Sequence, residues 1–385
     1  MGTSTNRPDQ FAGKIVKINV DTGVSEQVTS GLVTPIAVKF NSKGELFALD
    51  IATGQILRIN TITGQSEPIV RLQPGTDNLA FDSTDLLYVT NNIDSDITEV
   101  NTETGSIRKV VQSGGLTAPG GIAIYDNILY VADTFSFRFL DKETGHIRQT
   151  LRTFAMPLQY PLTVSVNDAH AIASSWFANT VQRLNRETGD VLNTYTGFGA
   201  PYDAIELSDG SILVADCALG HIVQILDETG VNRRIVTENL SCPTGLAQLD
   251  GSTVLVTESL GNKLSQIDVM TGERQVLAEN LSSPEGVAYH PKGIAVVAEV
   301  GTQSVKAIDI NTRKSITLKQ NLPIGLPGFS SGPPPYNMTG VALADDVVYI
   351  TGDLDNSIHT VKLDFKFFND GNSSQPSMAR GRTRY

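Results

Sequence analysis

The chain has 385 residues and a formal net charge of −12, and 40% of its residues are hydrophobic against 18% charged. This balance excludes a disordered, highly charged chain. Lysine and arginine do not cluster before Arg380, Arg382 and Arg384, so the sequence lacks the basic face that nucleic-acid binding needs. No apolar run approaches the length of a membrane-spanning helix, so we expect no membrane span.

The compartment stays open at this point. The segment Met1–Gln10 is polar and has no apolar core of the kind that a signal peptide carries. We expect a cytoplasmic protein if Met1 is the native start, and a secreted or periplasmic one if a signal peptide was removed.

A Thr-Gly pair recurs along the chain at spacings of 40 to 44 residues. The pairs end at Gly23, Gly64, Gly105, Gly145, Gly189, Gly230 and Gly272, and a degenerate copy lies at Thr312-Arg313. A period near 40 residues with strand-like content is typical of four-stranded β-propeller blades. Each period contains a buried strand, at 46–49, 87–89, 129–132, 213–215, 254–256, 295–298 and 348–350. The Thr-Gly pairs are predicted to be hairpin turns, in which glycine accepts a positive φ.

The pattern predicts an all-β fold, a single closed β-propeller over residues 12–363. We count eight four-stranded blades, with a seven-bladed ring carrying an extra hairpin as the alternative. The ring would close by pairing the C-terminal half-blade, 339–363, with the N-terminal half-blade, 14–30, because such pairing protects two sheet edges. Residues 1–11 and 364–385 are predicted to be disordered tails.

Acidic residues and amides recur directly after the second strand of the blades, on the face where several blades meet at the channel mouth. They are Asp50, Asn91, Asp133, Asp216, Glu258, Glu299 and Asp353. Two interpretations stay open. Such side chains cap turns by accepting hydrogen bonds from backbone N–H groups. Alternatively, they converge to hold a cation such as Ca²⁺ or to perform acid–base chemistry.

Residues that do not follow the repeat are better candidates for function. Asp77, Asp203 and Glu285 stand where other blades have apolar or small residues. Trp176, Phe177 and Tyr202 add aromatic surface on which a ligand could stack. We expect all six near the same channel mouth.

Two further features belong to this predicted mouth. Cys217 and Cys242 are the only cysteines, and adjacent blades carry them, so either a disulfide or two free buried thiols is expected. The connection 321–337 is rich in proline and longer than its equivalents, which indicates a lid over the channel.

Two segments carry a family resemblance: Ser283-Pro-Glu-Gly-Val-Ala-Tyr-His-Pro-Lys-Gly-Ile-Ala-Val-Val-Ala-Glu and Ala118-Pro-Gly-Gly-Ile-Ala-Ile-Tyr-Asp-Asn-Ile-Leu-Tyr-Val-Ala-Asp. The repeat resembles NHL-repeat propellers and their SMP-30/gluconolactonase and strictosidine-synthase-like relatives. The SMP-30 type is six-bladed and holds a divalent metal with Glu, Asn and Asp residues. The resemblance implies Glu285 as the Glu, in its Pro-Glu-Gly opening, Asp203 or Asp216 as the acid, and Asn78, Asn91 or Asn92 as the amide. We predict a catalytic set of Glu285, Asp203 and Asp216, and a metal set of Glu285, Asp203 and Asp77. We predict substrate contacts from the following residues: Trp176, Phe177, Tyr202, Asn91, Glu258 and Glu299.

The predicted function is a propeller that binds a small molecule and acts as a hydrolase or lyase. Its substrate would be a lactone or another natural product, and a divalent cation such as Ca²⁺ is the implied cofactor. The alternative is a non-catalytic NHL-type scaffold that binds a protein or a glycan through the same face.

Overall fold

The structure is a computed structural model and describes residues 13–328 and 335–369. The N-terminal segment 1–11, residues 370–385 and the middle of the proposed lid lie outside the described residues. A short helical turn, α1 (Lys366–Asn369), lies within the segment 364–385 that the sequence predicts to be a tail. Phe365 and Phe368 pack there against a buried aliphatic cluster, which explains the order.

Contacts within the chain divide it into two compact units, the first comprising Met1–Thr117 and Leu151–Leu158 and the second Ala118–Thr150 and Gln159–Tyr385. No helix in the described part of the chain has the length and apolar character that crossing a membrane requires.

The first unit contains one two-stranded sheet and two four-stranded sheets. The two-stranded sheet consists of β1 (Gly13–Ile18) and β2 (Ser25–Leu32). The first four-stranded sheet consists of β3 (Pro35–Phe40), β4 (Leu46–Asp50), β5 (Gln55–Ile59) and β6 (Ser66–Arg71). The second consists of β7 (Thr76–Phe81), β8 (Leu86–Asn91), β9 (Asp96–Asn101) and β10 (Ile107–Val111).

The remaining strands form five four-stranded sheets and one three-stranded sheet. The first of these sheets consists of β11 (Ile122–Tyr125), β12 (Ile128–Asp133), β13 (Ser136–Asp141) and β14 (Ile147–Arg152). The second consists of β15 (Thr163–Val166), β16 (His170–Ser175), β17 (Thr180–Asn185) and β18 (Val191–Tyr195). The third consists of β19 (Pro201–Glu206), β20 (Ile212–Asp216), β21 (His221–Ile225) and β22 (Arg233–Thr237). The fourth consists of β23 (Pro243–Gln248), β24 (Thr253–Glu258), β25 (Lys263–Asp268) and β26 (Arg274–Ala278). The fifth consists of β27 (Pro284–His290), β28 (Ile294–Glu299), β29 (Ser304–Asp309) and β30 (Ser315–Lys319). The three-stranded sheet consists of β31 (Val341–Ala344), β32 (Val347–Gly352) and β33 (Ser357–Lys362). A 3₁₀ turn, Val300–Thr302, follows β28.

The predicted hairpins are confirmed. All seven Thr-Gly glycines have positive φ angles between 67° and 75°, and Arg313 has a φ of 63° in the degenerate copy. At the hairpin of β5 and β6, Asn60 accepts hydrogen bonds from the N–H groups of Ile62 and Thr63, and the Gly64 N–H closes the turn on the Asn60 carbonyl. The strand content and the four-stranded antiparallel sheets are those of a propeller.

The second strands of three sheets in the second unit are buried along their whole length because both of their faces are covered. Every residue of β20, β24 and β28 is buried, and their sequences are almost continuously apolar. A strand enclosed on both sides reads as an unbroken apolar run instead of an alternating pattern. Because of these apolar runs, the sequence alone predicts the three strands.

Within the second unit the innermost strands contact one another in chain order, and β31 contacts both β27 and β11. The Gly340 N–H donates to the Gly120 carbonyl at 3.1 Å, and the Gly121 N–H donates to the Leu162 carbonyl at 2.7 Å. A Cβ added to Gly340 would lie 2.7 Å from the Ile122 nitrogen, so glycine is required for this approach.

The expected eight-bladed closure is not confirmed. The strands of the predicted N-terminal half-blade, β1 and β2, form a sheet of their own, and β31, β32 and β33 form a three-stranded sheet. The physical reason lies within the second unit, where β11 occupies the position beside β31 through the glycine contacts just described.

Candidate functional site

A cavity of about 300 Å³ runs along the innermost strands of the second unit, and residues of all six sheets line it. At the end where these strands begin, the wall contains Thr163, Asp203 and Met338. At the end where they finish, it contains Asn167, Glu206 and Gln248. The wall between is mainly aliphatic and includes Ile122, Val164, Ile205, Leu246, Val287 and Val341. A small site with apolar walls and a few polar groups is typical of ligand pockets.

The cavity opens at the end opposite to the one expected. Lining residues at the beginning of the strands are buried: Gly121, Thr163, Asp203, Met338 and Gly340. Lining residues at the far end are half-buried or exposed: Ile124, Val166, Asn167, Gln248 and Leu343. The predicted mouth is therefore the closed end of the cavity.

Side chains fill the predicted mouth. Tyr202, Met338 and the two cysteines form a buried cluster against which Trp176 packs. Cys217 and Cys242 form a disulfide, which decides between the two expectations for them. The Trp176 indole donates to the Asn337 carbonyl at 2.9 Å and so fixes the segment that carries Met338.

Glu285 is fully buried behind this cluster. Its Oε1 lies 2.7 Å from the Tyr202 hydroxyl, and its Oε2 accepts a hydrogen bond from the Thr339 N–H at 2.7 Å. Burial raises the pKa of Glu285 to about 8, although these hydrogen bonds oppose the shift. The Tyr202 hydroxyl also lies 3.1 Å from the Tyr336 carbonyl, and it has only one hydrogen for two acceptors. A protonated Glu285 satisfies all three groups, because it donates to Tyr202 while Tyr202 donates to Tyr336.

Asp203 is the one predicted catalytic residue that lines the cavity. Its Oδ1 accepts the Ala204 N–H at 2.9 Å, and its Oδ2 accepts the Leu246 N–H at 2.8 Å. Burial raises the pKa of Asp203 to about 7, against the lowering effect of these two hydrogen bonds and of a hydrogen bond with the Thr163 hydroxyl. Both protonation states are consequently populated near neutral pH, as acid–base chemistry requires.

The recurring carboxylates cap the connections between sheets, in agreement with the structural interpretation. Asp216 accepts the N–H groups of Gly199 and Ala200 at 2.7 and 2.9 Å. Glu258 accepts the Ser241 N–H and the Ser265 hydroxyl, and Glu299 accepts the Ser282 N–H and a hydrogen bond from Lys306. None of these three carboxylates is among the residues that line the cavity.

The other predicted site residues lie elsewhere. Asp77 and Asn91 belong to the first unit, where Asn91 caps its own turn by accepting the N–H groups of Ile93 and Asp94. Phe177 is 53% exposed, and its ring centroid lies 5.1 Å from that of Tyr160. None of the three lines the cavity.

The predicted cation ligands do not fit a cation as they are arranged. In the described ranges, no group of three or more His, Cys, Asp or Glu side chains is placed to hold a metal ion. The raised pKa of Glu285 favours its neutral form, its two oxygens are hydrogen-bonded with Tyr202 and Thr339, and both oxygens of Asp203 accept backbone hydrogen bonds. Ca²⁺ instead requires six to eight oxygen ligands, with ionised carboxylates among them.

Sequence reasoning missed Asn167 and Glu206 at the open end of the cavity. They come from the turn after β15 and from the last position of β19, and no motif connects them. Only the position of the cavity mouth identifies them.

Comparison with known proteins finds similarity among solved structures and none among family models or curated sequences. No family model matches the chain, and no curated protein matches its sequence. Among solved structures, it is similar to virginiamycin B lyase from Staphylococcus aureus, with 14% identity and a TM-score of 0.39 over 86% of this chain and 95% of that one. It is also similar to hydrazine synthase from Kuenenia stuttgartiensis, with 16% identity and a TM-score of 0.46 over 75% and 96% of the two chains. Regucalcin from Agrobacterium tumefaciens, a calcium-binding protein, has 14% identity and a TM-score of 0.44 over 62% and 83%.

Proposed function

We propose that the six sheets of the second unit form a ring of their own whose channel binds a small, largely apolar carbonyl compound. Asp203 acts there as the acid–base group of a hydrolase or lyase. The observation that carries this proposal is a carboxyl group with a pKa of about 7 at the closed end of an aliphatic cavity. A lactone has the required properties, since it joins a carbonyl group to an apolar ring and chain.

The chemistry follows from the position of the proton. The two Asp203 oxygens accept backbone N–H groups and the carboxyl also interacts with the Thr163 hydroxyl, and Asp203 lines the cavity, so the neutral carboxyl can donate its proton to a bound carbonyl group. Donation to a lactone carbonyl polarises it, and water then adds to the carbonyl carbon. The ring C–O bond breaks as its oxygen takes up a proton, and the product is a hydroxy acid. Aliphatic walls strengthen this hydrogen bond, because the local dielectric constant is low.

The proposal assigns different roles to the other predicted catalytic residues. Glu285 acts as a positioning residue, because its hydrogen bond to Thr339 holds the segment that closes the cavity. Asp216 holds the connection before β19, the strand that carries Asp203.

The test measures binding and ring opening of γ- and δ-lactones with alkyl chains of increasing length. Binding is followed by calorimetry, and hydrolysis by proton release at constant pH. For Asp203→Asn we expect retained binding and a loss of turnover of about 10²- to 10⁴-fold, the usual contribution of a general acid–base group. Exposed Asp227, which lies outside the cavity, provides the matched control in Asp227→Asn. Absence of lactone binding by the unmodified protein would contradict the proposal.

A non-catalytic scaffold is the second candidate, and one observation favours it. The predicted mouth is filled by Met338, Tyr202 and the disulfide, as in a propeller whose hub serves only packing. If the protein is a scaffold, lactones neither bind nor react. Ala123→Phe, which fills the cavity, then leaves the binding of a protein or glycan partner unchanged. Ala123 lines the cavity, so the catalytic proposal predicts that this substitution abolishes lactone binding.

A further inference from the structure

Two hydroxyl groups connect to Asp203 at the closed end of the cavity. Thr163 is the first residue of β15, and Ser174 lies opposite to it on β16. Both side chains are buried, and their hydroxyl oxygens are in hydrogen-bond contact. The Thr163 hydroxyl also forms a hydrogen bond with the Asp203 carboxyl, and the Ser174 hydroxyl donates to the Tyr202 carbonyl at 3.1 Å. Asp203 is therefore one end of a hydroxyl chain that runs through Thr163 to Ser174.

The hydroxyl chain can direct its hydrogens in two ways. Each hydroxyl has a single hydrogen, and rotation about the C–O bond turns this hydrogen from one acceptor to another. When Asp203 is neutral, Ser174 donates to the Tyr202 carbonyl and Thr163 donates to Ser174. When Asp203 is ionised, Thr163 turns its hydrogen to the carboxylate, and Ser174 can turn its own hydrogen to Thr163. The chain thus supplies a donor to Asp203 when this residue becomes charged.

This donor is worth most during proton transfer. In the proposed reaction the Asp203 O–H bond breaks, the proton bonds to the lactone carbonyl oxygen, and the bonding electrons stay on Asp203 as a negative charge. Asp203 recovers a proton from the water molecule that adds to the carbonyl carbon. Hydrogen bonds to an ionised acceptor are roughly twice as strong as those between neutral groups. The hydrogen bond from Thr163 consequently strengthens as the proton leaves.

Building on the proposed function, we propose that Thr163 and Ser174 are positioning residues for the proton transfer from Asp203. Thr163 turns its hydroxyl hydrogen to the carboxylate as it forms, and Ser174 supports Thr163 from the neighbouring strand. Both residues act through Asp203. An interaction that is gained only as charge develops raises kcat and leaves KM unchanged.

The experiment compares Thr163→Val, Thr163→Ser and Ser174→Ala in the ring opening of the lactone that the unmodified protein hydrolyses fastest. Valine keeps the shape of threonine and lacks its hydroxyl, so we expect kcat to fall roughly 10- to 100-fold, the value of a hydrogen bond to a charged group. KM and the affinity measured by calorimetry should stay unchanged. Thr163→Ser keeps the hydroxyl and should retain the turnover. Ser174→Ala should lose less than Thr163→Val, because Ser174 reaches Asp203 only through Thr163.

The matched control is Thr180→Val. Thr180 belongs to the same sheet and is buried, and its hydroxyl has no hydrogen-bond partner among the described residues. This variant should leave kcat and KM unchanged, and thermal unfolding checks that every variant is folded.

The outcomes separate this inference from the proposed function. An unchanged kcat in Thr163→Val overturns the inference, and so does a loss of turnover that Thr163→Ser shares. In both cases lactone hydrolysis by the unmodified protein leaves the proposed function standing. If Thr163→Val does not fold, Ser174→Ala decides, and a kcat equal to that of the unmodified protein then overturns the inference. If the unmodified protein hydrolyses no lactone, the proposed function fails and this inference fails with it.

Discussion

Single residues at the closed end of the cavity show how burial controls protonation. The Tyr202 hydroxyl lies beside both the Glu285 carboxyl and the Tyr336 carbonyl, and one hydrogen cannot serve two acceptors. The raised pKa of Glu285 resolves this conflict by supplying a second hydrogen. Burial likewise raises the pKa of Asp203 to about 7, and this carboxyl lies in the wall of the cavity.

Two substitutions of Glu285 test this arrangement. In Glu285→Gln the amide nitrogen can donate to Tyr202 while the carbonyl oxygen accepts the Thr339 N–H, so we expect little change in the free energy of unfolding below pH 4.5, where Glu285 is protonated in both the folded and the unfolded state. Glu285→Ala leaves a cavity and an unpaired backbone N–H, and we expect it to lower the free energy of unfolding by about 2–5 kcal/mol. Chemical denaturation measures both. A Gln variant as unstable as the Ala variant would show that Glu285 is ionised.

The pH dependence of stability provides a separate test of Glu285. Its pKa rises from 4.5 to about 8 on folding, so the folded state binds more protons than the unfolded state between these values. Stability from this group is complete below pH 4.5 and falls by roughly 1.4 kcal/mol per pH unit up to pH 8. Glu285→Gln removes this dependence on pH, so the free energy of unfolding of the variant should rise relative to that of the unmodified protein as the pH rises. Parallel stability profiles of the two proteins would contradict the assignment.

At the scale of elements, glycines determine which strands become neighbours. Gly121 and Gly340 lie where the backbones of neighbouring innermost strands meet, and an added Cβ at Gly121 would lie 2.4 Å from the Thr163 Cα. Both glycines belong to the stretches before β11 and β31, the strands whose contact joins the last sheet of the second unit to its first. A Cβ added at either glycine would therefore disturb the contact between two sheets.

We expect Gly340→Ala to destabilise the protein by about 1–3 kcal/mol, because its Cβ would overlap the Gly120 carbonyl and the Ile122 nitrogen. Gly251→Ala is the matched control, since an added Cβ there meets no atom within 4 Å. It should be neutral or slightly stabilising, because alanine restricts the unfolded chain. Thermal unfolding of the two variants measures the difference. Equal melting temperatures would mean that these strands do not approach as closely as described.

At the scale of the whole molecule, the disulfide joins two sheets of the second unit and closes a loop with a sequence separation of 25 residues. Loop-closure entropy assigns a cross-link of this length about 3 kcal/mol of stabilisation. We expect Cys217→Ser with Cys242→Ser to lower the free energy of unfolding by this order. Mass spectrometry without reductant should find no free thiol in the unmodified protein. Two free thiols would contradict the structure and would return the alternative left open by the sequence.

The sequence by itself determined the strands, the hairpins and the class of fold. A period near 40 residues and glycines at turns are local properties, and the chain expresses them wherever its sheets are placed. It also indicated Asp203 and Glu285 as exceptions to the repeat, because a departure from a repeat is visible in one dimension.

Only the tertiary structure decided which sheets are neighbours and which end of the channel is open. Similar repeats do not encode which sheets become neighbours, and that choice depends on backbone contacts at positions such as Gly121 and Gly340. The open end depends on where Met338 and the disulfide pack, and these groups are brought together from distant parts of the chain. The hydroxyl chain that joins Ser174 and Thr163 to Asp203 left no sequence motif for the same reason, because its members come from separate strands that meet only when the sheets pack.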